Sequence, residues 1–249
     1  MVGLTGRRAA VLLAAIMAAA LTARLGIWQL DRARTKTELH ERIVARGAQA
    51  PLPQAEVARD EAMAQLQHYR QVQLHGRWLA ERTVYLDNRA MNGRAGFIVV
   101  TPLLLGDGDA LLVQRGWSPR HQTERTRLAP LDTPAGEISV NGRIAPPPSK
   151  LYAFDESGGG LIRQNLDLTD FAREIRVPLR PLSVQLTDAG ATNDGLLRDW
   201  PAAALDVGKH HGYAFQWFAL CALVIGLTVW FQLIAPYRSQ DRDRRRRTP

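Results

Sequence analysis

An uncharged run near the end of the chain limits its fold more than any other feature. The 24 residues from Gly212 to Ala235 include no Asp, Glu, Lys or Arg. As a helix they would extend about 36 Å, at about 1.5 Å per residue, and the hydrocarbon core of a bilayer is about 30 Å thick. A helix in a soluble domain is rarely apolar on every face over such a length. The run therefore predicts a transmembrane helix at residues 212–235.

A second apolar segment lies near the start of the chain, from Ala9 to Leu30. Its only polar residues are Thr22, Arg24 and Gln29. One interpretation is a secretory signal peptide cleaved near residue 20, and the other is an uncleaved anchor. The apolar pattern continues past residue 20 to Trp28, a residue type typical of the membrane interface, and this favours the anchor. We predict a first transmembrane helix at residues 9–30, and sequencing of the mature N-terminus tests that choice.

Positive charge is concentrated at the two ends of the chain. Of the formal net charge of +8, residues 1–30 contribute +3 and residues 236–249 contribute +4, which leaves +1 for everything between them. The middle therefore lacks the basic surface of a nucleic-acid-binding domain, and we expect no nucleic-acid partner. Basic residues beside membrane segments are typical of cytoplasmic ends, where they contact anionic lipid.

The flanking charges give two opposite indications of orientation. Four basic residues at or after the end of the first segment outnumber the two that precede it, namely Arg24, Arg32, Arg34 and Lys36 against Arg7 and Arg8. Six arginines follow the second segment, within residues 236–249. Because that cluster is larger, we predict that residues 1–8 and 236–249 are cytoplasmic and that residues 31–208 lie outside the cytoplasm.

Short runs that alternate apolar and polar side chains fill residues 68–187, which is the pattern of β-strands. In the first run, Val72 and Leu74 alternate with polar neighbours. Residues 106–109 (GDGD) separate two leucine-rich runs and predict a hairpin turn. We therefore predict an α+β membrane protein, in which two transmembrane helices flank one mainly antiparallel β domain at residues 31–208. The many short strands favour a barrel-like or sandwich-like arrangement of that domain.

Two short helices are predicted within this domain. The first is at residues 55–67, before the strands begin. The second is at residues 169–175, with Thr169 or Asp170 as its N-terminal cap.

A search for catalytic patterns gives no support for an enzyme. The sequence contains neither G-x-S-x-G nor H-E-x-x-H. Its single cysteine, Cys221, lies in the second apolar segment, so intramolecular disulfides, C-x-x-C redox sites and thiolate metal sites are excluded. We expect a non-enzymatic protein.

Four motifs, in register between and beside the two apolar segments, carry a family resemblance. They are residues 25–32 (LGIWQLDR), residues 86–89 with 92–97 (LDNR and NGRAGF), residues 112–119 (LVQRGWSP) and residues 210–218 (HHGYAFQWF). Together they resemble the surfeit-locus family of cytochrome c oxidase assembly proteins, in its bacterial form. The roles of Arg89, Arg115 and Trp117, which match these motifs, stay open at this point.

The resemblance implies a protein of the bacterial inner membrane with a periplasmic β domain. It implies a chaperone-like role in the respiratory chain, in which haem a is bound and inserted into the catalytic subunit of the oxidase, with the haem a synthesis machinery as a further partner. The family's haem-linked histidine precedes the motif tyrosine by three residues, which selects His210, with His211 as the alternative metal ligand.

The residues themselves are consistent with such a site. On a helix His210, Tyr213 and Trp217 share one face, so a flat apolar macrocycle would meet an aromatic wall beside an imidazole. Imidazole nitrogen is a common axial ligand of haem iron. Three alternatives remain. The histidines are interfacial polar residues above an aromatic belt, the protein is a cofactor-free scaffold for the nascent oxidase subunit, or it is a membrane-anchored, outward-facing enzyme with an unrecognised site.

Overall fold

The computed structural model describes residues 6–121, 123–124, 126–151, 160–187, 194–200 and 207–235. The chain divides into two compact units, which are Met1–His40 with Ala203–Pro249, and Glu41–Ala202. The helices in the described residues are α1 (Gly6–Gly47), α2 (Glu61–Gln67), α3 (Leu168–Ile175) and α4 (Val207–Val229). The strands are β1 (Gln71–Trp78), β2 (Val84–Met91), β3 (Arg94–Leu105), β4 (Ala110–Pro119), β5 (Glu137–Ala145), β6 (Ile162–Arg163) and β7 (Leu179–Leu186).

The first unit is built on helices α1 and α4. By length and composition, the stretches Arg8–Gly47 and Val207–Ile234 are apolar enough to cross a membrane. Large apolar side chains cover their outer surfaces, and Phe215, for example, is 74% exposed. Such a surface is costly in water and favourable in lipid. A short π-helix, Trp230–Ile234, continues α4.

Helices α1 and α4 pack against each other in antiparallel fashion. The Sγ atom of Cys221 donates to the carbonyl oxygen of Ala19 (3.3 Å), and a Cβ added at Gly26 would lie 2.8 Å from the ring of Phe218. The least exposed side of α1 carries mainly small residues at steps of three and four, namely Ala15, Ala19, Thr22, Gly26, Gln29 and Ala33. Small side chains let two helices approach closely. Such close packing stabilises helix pairs in a membrane, where the hydrophobic effect does not drive their association.

One mixed sheet forms the centre of the second unit. Its strand order is β1-β5-β7-β4-β3-β2-β6, and β1 also pairs with β3. The pairings therefore join β1, β5, β7, β4 and β3 in a ring. Most neighbours are antiparallel, as predicted, but β2–β6 and β4–β7 are parallel. The sequence analysis did not foresee these parallel pairs, because strand periodicity does not record which strands become neighbours.

One predicted turn and one predicted helix have a clear local explanation in the structure. Strand β3 ends at Leu105 and β4 begins at Ala110, so residues 106–109 form the predicted hairpin turn. Gly108 has a φ of +88°, a conformation that glycine adopts without a steric penalty. The helix predicted at residues 55–67 is divided instead into a 3₁₀ turn (Gln54–Glu56) and α2, which Asp60 caps by accepting from the amide of Met63.

Helix α3 closes one of the apolar clusters of the sheet. It buries Phe171 and Ile175 against Leu86, Val100 and Leu112. The prediction that Thr169 or Asp170 caps this helix is wrong. The cap is Asp167, whose carboxylate accepts from the amides of both of those residues, because the helix begins at Leu168.

Candidate functional site

The three residues predicted to bind a cofactor, His210, Tyr213 and Trp217, all lie on α4. Helix α4 begins at Val207, which is before the predicted start of the apolar segment, so His210 lies in its first turn. The backbone is therefore already helical at the histidine, and the helix sets the direction of its side chain.

The ring of His210 is fixed by helix α1. Its Nδ1 atom lies 2.8 Å from Oε1 of Gln29. An amide oxygen can only accept a hydrogen bond, so Nδ1 is the donor and carries the proton. In the neutral ring the lone pair is then on Nε2, which makes no hydrogen bond with any residue in the described parts of the chain. The ring is only partly buried, so Nε2 is the nitrogen available to a ligand.

The neighbouring His211 differs in its surroundings. Its side chain is exposed, and since successive helical residues point about 100° apart, it lies on a different side of α4 from His210. No hydrogen bond joins it to another residue among those the structure describes. The two histidines, which the sequence alone left as alternatives, are therefore distinguished by a single contact with Gln29.

The two aromatic residues of the predicted site have unequal exposure. Tyr213 is 51% exposed, whereas Trp217 is partly buried on the side of α4 that faces α1. Two helical turns, or about 10.5 Å along the axis, separate Trp217 from His210. Tyr213 is therefore the more accessible of the two rings, and Trp217 contributes both to helix packing and to the surface below the histidine.

His210 alone could supply one metal ligand, which would suit a cofactor whose metal ion is already held by the cofactor's own atoms. No group of three or more His, Cys, Asp or Glu side chains that could hold a metal ion occurs in the part of the chain that the structure describes. One imidazole nitrogen beside aromatic surface would suit haem, whose iron needs only axial ligands from the protein. His210 would supply that ligand, and Tyr213 and Trp217 would contact the macrocycle.

The motif residues of the sheet unit contact one another. Trp117 is buried, and its Nε1 donates to the carbonyl oxygen of Arg89 (2.8 Å). A Cβ at Gly96 would overlap the Trp117 ring and the carbonyl oxygen of Ser118, so only glycine allows this approach. The guanidinium of Arg89 donates to the carbonyl oxygen of Gln164 (2.9 Å). These contacts are structural, since they join β2, β3 and β4 to the segment that contains β6.

Arg115, the third motif residue left open by the sequence, is fully buried. It donates to Oδ2 of Asp194 (3.2 Å) and to the carbonyl oxygen of Asp132 (2.7 Å), and its guanidinium lies 5.1 Å from the ring centroid of Trp78. Burial lowers the pKa of Arg115, and Asp194 opposes that effect. The residue thus fastens two loop segments to β4.

Sequence reasoning missed Gln29 and Asp194 as partners of motif residues. Gln29 is one of three polar residues within the first apolar segment, and an amide in such a segment needs a partner. That signal was present, although it does not say which residue is the partner. Asp194 lies in a segment without strong periodicity, so nothing in its sequence context indicated a buried ion pair.

These observations define a class of protein with two apolar helices, a mixed-sheet domain between them in sequence, and a histidine on one helix that is held by a glutamine of the other. The chain belongs to the SURF1 family, whose model matches residues 16–222. The resemblance found in the four motifs is thereby confirmed at the level of the family.

Similar proteins occur in several eukaryotes. The cytochrome oxidase assembly protein SHY1 of Saccharomyces cerevisiae is 31% identical over 155 residues, which are 60% of this chain and 40% of the yeast protein. A SURF1-like protein of Dictyostelium discoideum is 32% identical over 100 residues, 38% of this chain and 37% of that protein. A SURF1-like protein of Drosophila melanogaster is 29% identical over 142 residues, 50% of this chain and 46% of that protein. The chain thus spans less than half the length of each of these relatives.

Proposed function

We propose that this chain is a membrane-anchored assembly factor for cytochrome c oxidase, which binds haem a through His210 and assists its insertion into the catalytic subunit of the oxidase. Membership of the SURF1 family supports this proposal, as does the name of the yeast relative, which describes a cytochrome oxidase assembly protein. The role is non-enzymatic, because a carrier needs to bind and release its cargo without changing it.

The observation that carries the proposal is the state of His210. Its Nδ1 is held by Gln29 and its Nε2 is free of hydrogen bonds to the described residues. A nitrogen that keeps its lone pair, on a ring held in place by a second residue, is suited to ligate iron. Haem bound there would supply the iron centre, while the protein supplies one axial nitrogen and an apolar surface.

The proposal includes a position in the cell. The two apolar helices would cross the bacterial inner membrane and contact its lipid, with the sheet unit in the periplasm and both termini in the cytoplasm. Because haem a is strongly apolar, a site on the membrane-spanning helices would let it pass from its synthesis machinery to the oxidase subunit without exposure to water.

Haem content tests the proposal. The full chain is purified in detergent from cells that make haem a, as wild type and as the variants His210→Ala and His211→Ala. We expect a haem spectrum from wild type and from His211→Ala, and at least about a tenfold loss from His210→Ala, because the axial ligand is removed. Equally small haem content in all three proteins would refute the carrier function.

A cofactor-free scaffold is the second candidate, and one feature of the sheet unit favours it. A cleft of about 1090 Å³ lies between α2, α3 and the loop after β5, and its lining includes Pro146, Pro147 and Pro148. A cleft of this size could hold a segment of a partner protein. A scaffold would co-purify with the oxidase subunit but would be colourless, so the haem spectrum distinguishes the two functions.

A further inference from the structure

We infer that Gln29 is a positioning residue for His210, which selects the ring tautomer and thereby presents Nε2 to the iron. This inference rests on the proposed haem-binding function, but it concerns a residue on the other helix of the pair. It follows from the contact between Oε1 of Gln29 and Nδ1 of His210, at 2.8 Å.

The helix packing brings these two side chains together. Gln29 lies on the same side of α1 as Ala19, Thr22 and Gly26, which is the side that faces α4. Gly26, one turn before Gln29, contacts the ring of Phe218 and so allows the helices to approach closely. The register of the antiparallel pair then places Gln29 opposite the first turn of α4.

The chemistry of the amide explains why glutamine is suited to this position. A neutral imidazole can carry its proton on either nitrogen, and the wrong tautomer would place N–H where the iron must bind. In the orientation that the structure has, Oε1 of Gln29 faces Nδ1 and accepts its proton, so this contact stabilises the tautomer whose Nε2 has a lone pair. A carboxylate would do the same, but a charged group near the apolar segment costs more free energy than a neutral amide.

The ring tautomer can be measured without haem. Full-length protein with ¹⁵N-labelled histidine is studied by NMR in detergent micelles at a pH where the ring is neutral. The signals of His210 are those that are missing from the spectrum of His210→Ala. We expect a protonated Nδ1 and an unprotonated Nε2 in wild type. In Gln29→Leu, which has no acceptor, we expect a mixture of tautomers. The same tautomer populations in both proteins would refute the inference.

Haem affinity gives the second readout. We expect Gln29→Leu to bind haem about 10- to 100-fold more weakly than wild type, the usual effect of losing a residue that holds a metal ligand. Gln29→Glu keeps an acceptor oxygen and should retain affinity. Its greater negative charge should also make the imidazole more basic and lower the reduction potential of the bound haem.

A matched control separates positioning from helix packing. Gln216 lies on α4 within the second apolar segment, and its side chain is exposed, so Gln216→Leu makes the same chemical change without removing a contact to a ring nitrogen. We expect it to keep both the tautomer and the haem affinity of wild type. An equal loss of affinity in Gln216→Leu and Gln29→Leu would mean that the effect is general and would overturn the inference.

If wild type binds no haem but shows the Nδ1–H tautomer, the proposed function fails while the role of Gln29 in fixing the ring stands.

Discussion

Buried arginine residues organise the sheet unit at the scale of single side chains. Arg115 is fully buried beside Asp194, and Arg180 is 3% exposed and donates to Oδ2 of Asp107 (2.6 Å). A guanidinium has five donors and stays charged, so its burial is costly unless acceptors surround it. Each of these arginines therefore fixes the loops that supply its acceptors.

The ion pairs of Asp194 give a stability prediction. Asp194 faces both Arg115 and Arg198, and its side chain is fully buried. Asp194→Ala removes that carboxylate and should lower the free energy of unfolding by about 3–5 kcal/mol, the usual cost of breaking a buried ion pair. Denaturation of the full chain in detergent, followed by tryptophan fluorescence, measures the change.

An exposed ion pair provides the control for this measurement. Asp170 pairs with Arg173, and their side chains are 69% and 74% exposed. Asp170→Ala should cost at most about 1 kcal/mol, because water and salt screen such a pair. Similar losses in the two variants would show that the Asp194 carboxylate has no special role.

His68 should make the stability of the sheet unit depend on pH. Burial lowers the pKa of His68, and the nearby charge of Arg46 lowers it further. As the pH falls through 6.5, the unfolded chain takes up a proton at this ring before the folded chain does, so the folded state loses stability until the folded pKa is passed. Stability should therefore rise with pH in this window.

The contribution of His68 is isolated by substitution. Thermal unfolding of the full chain between pH 5 and 8 should show a smaller pH dependence in His68→Gln than in wild type. His121→Gln makes the same change at an exposed position and serves as the control. If His68→Gln and wild type gave parallel curves, the lowered pKa would have no effect on folding.

At the scale of elements, segments with a regular alternation or repeat of apolar residues could be predicted as strands or helices. The neighbouring elements with which they pair could not. The alternation around Val72 correctly indicated β1, and the glycines at residues 106–108 correctly indicated the turn between β3 and β4. The cap of α3 was placed two or three residues too late, because a carboxylate can cap from outside the periodic segment. Strands β4 and β7 pair across a long stretch of chain, and the hydrogen bond between the side chains of Gln114 and Ser183 joins residues 69 positions apart, so no local pattern encodes this pairing.

The candidate site shows the same limit. The sequence proposes its α4 residues because they share one helix face and match a family motif, and their role in binding stays a prediction. The contact with Gln29 joins residues 181 positions apart, and it depends on the register of two helices. Only the polar character of residue 29 within an apolar segment pointed to a partner.

The register of α1 and α4 can be tested with one added cysteine. Cys221 is the only cysteine, and its Sγ lies 3.3 Å from the carbonyl oxygen of Ala19. Under mild oxidation, Ala19→Cys should form an intramolecular disulfide with Cys221, seen as a mass loss of two hydrogens in the intact protein. Ala20→Cys, on the exposed side of α1, should not form it. Equal yields in the two variants would contradict the packing.

At the scale of the whole molecule, the antiparallel helix pair determines which ends lie together. Ala19 contacts Cys221 and Gln29 contacts His210, so the start of α1 and the end of α4 are at the same end of the pair. If the pair crosses a membrane, residues before α1 and after α4 lie on one side. In the proposed orientation that side is the cytoplasm, because residues 236–249 are rich in arginine and the positive-inside rule favours a cytoplasmic position for such a segment.

Labelling of single cysteines tests this orientation. In a Cys221→Ser background, Glu81→Cys places a thiol at an exposed position of the sheet unit, and Thr248→Cys places one in the basic tail. A maleimide that cannot cross membranes should label Glu81→Cys in intact spheroplasts, and should label Thr248→Cys only after lysis. The delivery of haem to an oxidase subunit from the outer side requires this result. Labelling of Thr248→Cys alone before lysis would place the sheet unit in the cytoplasm, and the proposed route of the cofactor would then be reversed.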